Sequence, residues 1–255
     1  MKFFKVLEEN LEGKNTTFKE FYDPTNLVEK RILEEYGAIF VARGNVKTPA
    51  KIVFVNETEV SGFQATLSIS RKEIAGYTLE LQRAAMKDLL KSIEEAKKNN
   101  LSISPRGADS AQRNYEQTIK LWASRVNPAL EHWTKEGKLS EKKAEKIRAL
   151  PPFEQVPEIF ELEEKGIFFS KDLSKSIVYS VAPPGTSQHL SLLAFDVAEY
   201  KNERVWEILA KNGWFQTVVS DLPHFTYLGT KETELPELGL KKVESGGQVF
   251  WIPNL

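Results

Sequence analysis

The chain has 255 residues, of which 41% are hydrophobic, enough to bury one sizeable core or at most two closely packed ones. Its formal net charge of -1 excludes a global basic field that would recruit nucleic acid, and no apolar run approaches the ~20 residues needed to span a bilayer. It contains no cysteine, which excludes disulfides, thiolate metal sites and a cysteine nucleophile, and is compatible with the oxidising bacterial periplasm.

Residues 1–25 are polar with scattered aromatics and read as an irregular arm. Glu8 and Glu9 interrupt it before an apolar stretch forms, so it is not expected to act as a signal peptide. A short helix is expected over 26–36, with Leu27, Ile32 and Leu33 on one side. The runs 38–42 and 51–55 are rich in β-formers and flank a loop with Gly44 and Pro49, the pattern of two strands. The run 62–67 reads as a third. Residues 79–99 predict a long helix, because Leu81, Ala85, Leu89 and Ile93 recur at helical spacing and Asn99-Asn100 can end it. Residues 101–104 alternate like a strand and lead into Pro105-Arg106-Gly107. Asp109 is placed to cap the next helix, expected to run to about Trp133 with Tyr115, Ile119, Trp122 and Val126 on its apolar face and a kink at Pro128.

Ser140 opens a further helix that Pro151-Pro152 stops, and 156–164 gives another. No segment repeats another, and none is low in complexity. From Ile177 onward glycines, prolines and short β-type runs dominate, broken by one helix over 203–212. Strands are expected at 214–218, 225–228 and 248–252. Helices first and an antiparallel sheet afterwards point to an α+β fold.

Two of the three histidines, His189 and His224, fall in this last part. With Asp196 they offer two imidazoles and one carboxylate, which fill three corners of a tetrahedral zinc site and leave the fourth for water. Asp221, three residues before His224, can act as the base for that water. Asp196 lies in the apolar run 192–197, where a carboxylate is costly to bury unless it is paired or bound to metal. The alternative is a pair of hydrogen-bonded core histidines, and spacing alone leaves both open.

The stretch resembles the DD-carboxypeptidase branch of the LAS metallopeptidases (lysostaphin, the D-Ala-D-Ala peptidases and Sonic hedgehog), including the vancomycin-resistance type. That branch carries Ser-x-His-x-x-Gly-x-Ala-x-Asp and, after a helix, Glu-x-x-His. Ser187, His189, Ala194 and Asp196 match in register, and His224 closes the set. Residues 182–186 resemble the family's Pro-Gly lead-in. Trp206, Leu209 and Gly213-Trp214-Phe215 resemble its helix-then-aromatic pattern. Upstream, Ile103-Ser104-Pro105-Arg106 resembles the strand that ends in a substrate-binding arginine, and Arg113 also fits, with Arg106 preferred. Two positions depart from the pattern. Leu192 stands where the family has glycine, and Asp221 where it has glutamate, drawing the carboxylate back by about one C–C bond, ~1.5 Å.

The resemblance runs from about residue 78 to 229. It implies helices packed on a small antiparallel sheet that carries the zinc site, with 1–77 as an N-terminal extension packed on the core and 78–255 as the peptidase domain. It implies one zinc per chain on His189, Asp196 and His224, with Asp221 as base and Arg106, Arg113 and Ser187 as substrate binders. The implied reaction releases D-alanine from peptidoglycan stem peptides ending in D-Ala-D-Ala. That places the protein in the periplasm or cell envelope, or in the cytoplasm if Met1 is the natural start. The competing expectations are a catalytically impaired peptidoglycan-binding homologue and an endopeptidase or dipeptidase of the same fold. His132 is expected at the surface, Lys97-Lys98 and Lys142-Lys143 on solvated faces, and the tryptophans in the core, though Trp122 or Trp133 could line a glycan groove. No Gly-x-Ser-x-Gly elbow surrounds Ser187, which argues against a nucleophile.

Overall fold

The computed structural model describes residues 2–14 and 16–255; Met1 and Asn15, within the expected arm, lie outside the described residues. The rest of that arm is helical, as α1 (Lys2–Leu11) and α2 (Phe18–Phe21). Phe3, Val6, Leu7 and Leu11 recur at helical spacing and are all buried, and this stripe outweighs the polar composition. Next comes α3 (Leu27–Tyr36), where expected. Its cap is Asn26, whose side-chain oxygen accepts from the amides of Val28 and Glu29.

The three expected strands of this region do not form. Residues 37–41 are a buried 3-10 helix. Residues 51–55 join no ladder, though the Phe54 N–H donates to the Gly185 carbonyl at 3.0 Å. Most of 62–67 belongs to α4 (Glu57–Ala65), which Asn56 caps. Strands appear later, as the hairpin β1 (Ile69–Ile74) and β2 (Tyr77–Gln82). Ala75 and Gly76, both at positive φ (51° and 82°), make its two-residue turn, the backbone that suits the twist of a tight hairpin.

Because β2 takes the first residues of the expected long helix, that helix is shorter: α5 (Arg83–Lys98). The segment 101–104 is not a strand, but its Ser104 carbonyl accepts from the Ala198 N–H at 2.9 Å, and the next residue, Pro105, makes one bridge to Val197. Then follow α6 (Tyr115–Lys135), α7 (Glu141–Ala149), α8 (Gln155–Glu164) and α9 (Glu203–Lys211). Asn114, not Asp109, caps α6, in a reciprocal capping box with Gln117. Ser140 caps α7 as expected, accepting from the Lys143 amide.

The sheet that matters for function has three antiparallel strands, β3 (Ala194–Asp196), β4 (Trp214–Gln216) and β5 (His224–Tyr227), in the order β3-β5-β4. A last hairpin joins β6 (Leu240–Ser245) to β7 (Gln248–Pro253). The architecture is thus α+β, helices with small antiparallel sheets. Phe3, Leu33, Leu89, Trp122, Phe195 and Trp214 all belong to one buried cluster, so residues before and after position 78 share a core. Trp122 and Trp133 are buried parts of it, their indole N–H groups donating to the Gln155 side chain and the Phe168 carbonyl. Among the described residues, no helix is long and apolar enough to cross a membrane.

Candidate metal centre

Register on two strands creates the first half of the centre. Asp196 on β3 and His224 on β5 are directly opposed partners, which puts their side chains on one face of the sheet. Thr226 and Ala194 form the pair two residues along on that face, while Phe195 and Phe225 fill the other.

His189 arrives from a different element, a 3-10 turn over Gln188–Ser191. The chain must then reverse to enter β3, and Leu192 does this in the left-handed conformation (φ 55°, ψ 35°). Glycine adopts that backbone freely, whereas leucine meets a strain of about 1–2 kcal/mol. The Leu192 side chain is buried, so its packing offsets the strain. One glycine upstream is sterically required. Gly185 has φ +77°, and a Cβ on it would lie 1.8 Å from the Phe54 carbonyl oxygen.

The ligand atoms of His189, Asp196 and His224 lie within 4.8 Å of one another, and all three residues are buried. Their hydrogen bonds fix which ring nitrogen faces inward. His189 donates through Nδ1 to the Ala111 carbonyl at 3.2 Å, so its neutral ring presents a lone pair at Nε2. That Nε2 is buried without a hydrogen-bond partner among the described residues, 3.3 Å from Asp196 Oδ1. His224 donates through Nε2 to Gln188 Oε1 at 2.9 Å and turns Nδ1 to Asp196 Oδ1 at 3.2 Å. The Gln188 amide nitrogen donates in turn to the Tyr36 carbonyl at 2.9 Å, which leaves its oxygen facing His224; Thr226 also donates to the same Oε1.

Burial drives the His189 pKa down to about 4, helped by the nearby Arg113 charge, so the ring is neutral at pH 7. Burial alone would raise the Asp196 carboxyl, whereas a proton on either facing imidazole pulls it the other way, well below the usual range. An imidazole lone pair and a carboxylate oxygen at 3.3 Å repel unless a cation lies between them. Outer N–H groups on carbonyl acceptors and inner lone pairs converging with a carboxylate are the pattern of a metal site. Two nitrogens and one oxygen suit zinc, with a fourth position to spare. The residues present therefore fit the ion.

Gln188 acts here through His224, whose ring it orients by accepting from Nε2, and the sequence did not suggest it. Replacing it with alanine removes the acceptor that orients His224. If the cluster holds a metal, the affinity of Gln188→Ala for it is expected to fall about 10–100-fold, read with zinc as the probe by competition with a chromogenic chelator. An unchanged affinity would show that β5 alone orients the ring.

Asp221 and His224 are held together by a turn in which the His224 N–H donates to the Asp221 carbonyl at 3.0 Å. Both line a cleft of about 200 Å3 that opens on the centre, together with Ser187, His189, Arg113 and Tyr36. Asp221 is exposed, and only the side that lines the cleft is desolvated. That desolvation raises its pKa, and the Asp196 charge adds to it, against the pull of His224, Arg113 and Arg106.

The two candidate arginines part company. Arg113 donates to Asp196 Oδ2 at 3.2 Å and lines the cleft. The Arg106 side chain is exposed and lies over the Tyr200 ring, 5.8 Å from its centroid, outside the cleft lining. His132 is exposed on α6, against Trp133 and away from the centre.

No family model matches the chain, and no curated protein does. Among solved structures it is similar to that of the LdcB LD-carboxypeptidase, described for the molecular basis of its peptidoglycan recognition. The identity is 16% and the TM-score 0.36, over 67% of this chain and 68% of that one. At that TM-score the likeness carries no argument about this site.

Proposed function

We propose that the chain is a zinc peptidase of the LAS kind that hydrolyses peptidoglycan stem peptides and releases D-alanine from D-Ala-D-Ala ends. One observation carries this: the buried His189, Asp196 and His224 bring a neutral nitrogen, a carboxylate and a second nitrogen within 4.8 Å of one another, and the two histidines line a cleft together with Asp221. The choice of substrate rests on the sequence resemblance.

His189, Asp196 and His224 would hold the ion. When bound, zinc supplies a Lewis acid and a water of lowered pKa. The Asp221 carboxylate takes a proton from the attacking water and returns it to the leaving amine. Arg113 keeps Asp196 turned toward the two imidazoles, with a guanidinium facing the cleft for the substrate carbonyl or carboxylate. Ser187, at the cleft wall, is placed to hydrogen-bond the peptide. Such a substrate lies outside the cytoplasmic membrane, so the proposed place of action is the periplasm or cell envelope.

The test is incubation of the zinc-loaded protein with a pentapeptide ending in D-Ala-D-Ala, with and without a chelator. The expected result is D-alanine release that the chelator stops and added zinc restores, with about one zinc bound per chain. A protein that takes up no zinc would sink the metal centre. Zinc uptake with no D-alanine release would sink the exopeptidase reaction and leave the centre standing.

A further inference from the structure

The cleft contains a second arginine, on α6. Arg125 lines the same cavity as Asp221, His189 and Arg113. Its Nε donates to the Ser180 hydroxyl at 2.8 Å and its Nη1 to the Ser124 hydroxyl at 2.9 Å. Among the described residues it forms no ion pair with a carboxylate. Arg113 differs in this respect, since Asp196 lies 3.2 Å from its Nη2 and Asp109 3.9 Å. The positive charge of Arg113 is thus answered inside the protein, while that of Arg125, half-buried, is answered only by hydroxyl dipoles. A guanidinium offers five donors in a planar fork that matches a carboxylate in bidentate fashion. Two neutral acceptors leave most of that capacity for a ligand.

The position of Arg125 along the helix sets which carboxylate it can meet. Tyr115, the first residue of α6, follows Arg113 by two positions, and Arg125 lies ten residues further. At 1.5 Å per residue that is about 15 Å. An extended peptide rises about 3.3–3.6 Å per residue, so the gap corresponds to roughly four residues, fewer once both side chains reach inward. Arg113 marks the metal end by its contact with Asp196, and Arg125 reaches the same cleft beside Ser180.

We propose that Arg125 is a specificity-determining residue that binds a carboxylate of the peptide two to four residues from the bond that is cut. The proposal rests on the peptidase function given above. Its substrate class is an acidic peptide with a free carboxylate at that distance. In a stem peptide the α-carboxylate of a γ-linked D-glutamate, two residues before the penultimate D-alanine, meets the requirement.

Three synthetic pentapeptides test it on the full zinc-loaded chain. The first is L-Ala-γ-D-Glu-L-Lys-D-Ala-D-Ala, the second its D-isoglutamine twin, and the third its C-terminal amide. The wild type is expected to prefer the first over the second by about tenfold or more in kcat/KM, the scale of a hydrogen bond to a charged group. Arg125→Ala and Arg125→Gln are expected to bring that preference within twofold, with Arg125→Lys in between. A wild type without the preference, or variants that keep it, would overturn the proposal. So would variants that lose discrimination only against the C-terminal amide, which would place Arg125 one residue from the cut. If no peptide is hydrolysed, the peptidase function fails, and calorimetric binding of the same peptides still decides on Arg125. Binding that favours acid over amide in the wild type but not in the variants supports it. Equal discrimination in both overturns it.

Discussion

Asp221→Asn is expected to keep its zinc and lose hydrolysis by about 10²–10⁴-fold, the usual contribution of a positioned general base. The amide has the shape of the carboxylate but no basic oxygen. Asp221 is not among the three ligands, so zinc content stays that of the wild type. The turn closed by the His224 N–H on the Asp221 carbonyl uses only backbone atoms and survives the change. Parallel measurement of bound zinc and turnover checks this, and unchanged turnover removes Asp221 as the base. Asp221→Glu sharpens the result. The resembled family uses glutamate at this point, ~1.5 Å longer. If this backbone is set for aspartate, the longer side chain overshoots, and a misplacement of about 1 Å costs on the order of 100-fold. A glutamate variant faster than the wild type would show that the turn is spaced for the longer residue.

What the sequence made legible follows from how local each signal is. Caps and stops are local, so α3, α7 and α8 fall within a residue or two of their expected ranges. The triad was legible because the chain has only three histidines, and because Asp196 stood in an apolar run with no visible partner. The strands expected at 38–42 and 51–55 failed because a short apolar run has no periodicity to separate a buried strand from a buried turn. The signals for α4 and for the β1-β2 hairpin are local and present in the sequence. Asn56 with Glu57 and Glu59 marks a helix start, and Ala75-Gly76 marks a tight turn. Gln188 and Arg125 were not legible at all. Gln188 meets His224 across 36 positions and Arg125 meets Ser180 across 55, so their roles exist only once the chain is folded.

Asp196→Ala is expected to abolish zinc binding and to destabilise the protein by about 3–5 kcal/mol, the cost of breaking a buried ion pair from one side. The side chain is 12% exposed, and its partner Arg113 is 16% exposed. Without the carboxylate, the Arg113 guanidinium stays in the wall with Asp109 at 3.9 Å as its remaining acid, and its Nε is already buried without a partner. Asp196→Asn keeps the volume and one oxygen for Arg113, so it should lose less stability. It cannot supply an anionic ligand, so it should still bind zinc weakly. Denaturant unfolding with and without zinc separates the two effects. The wild-type midpoint should rise with zinc, the unfolding free energy gaining about 2.7 kcal/mol when free zinc is 100 times the dissociation constant. Neither variant should respond comparably. If both variants gained as much from zinc as the wild type, the ion would have to be held elsewhere. If Asp196→Ala were as stable as the wild type without zinc, Arg113 would have to find another acceptor, and Asp196 would be a ligand without a structural role.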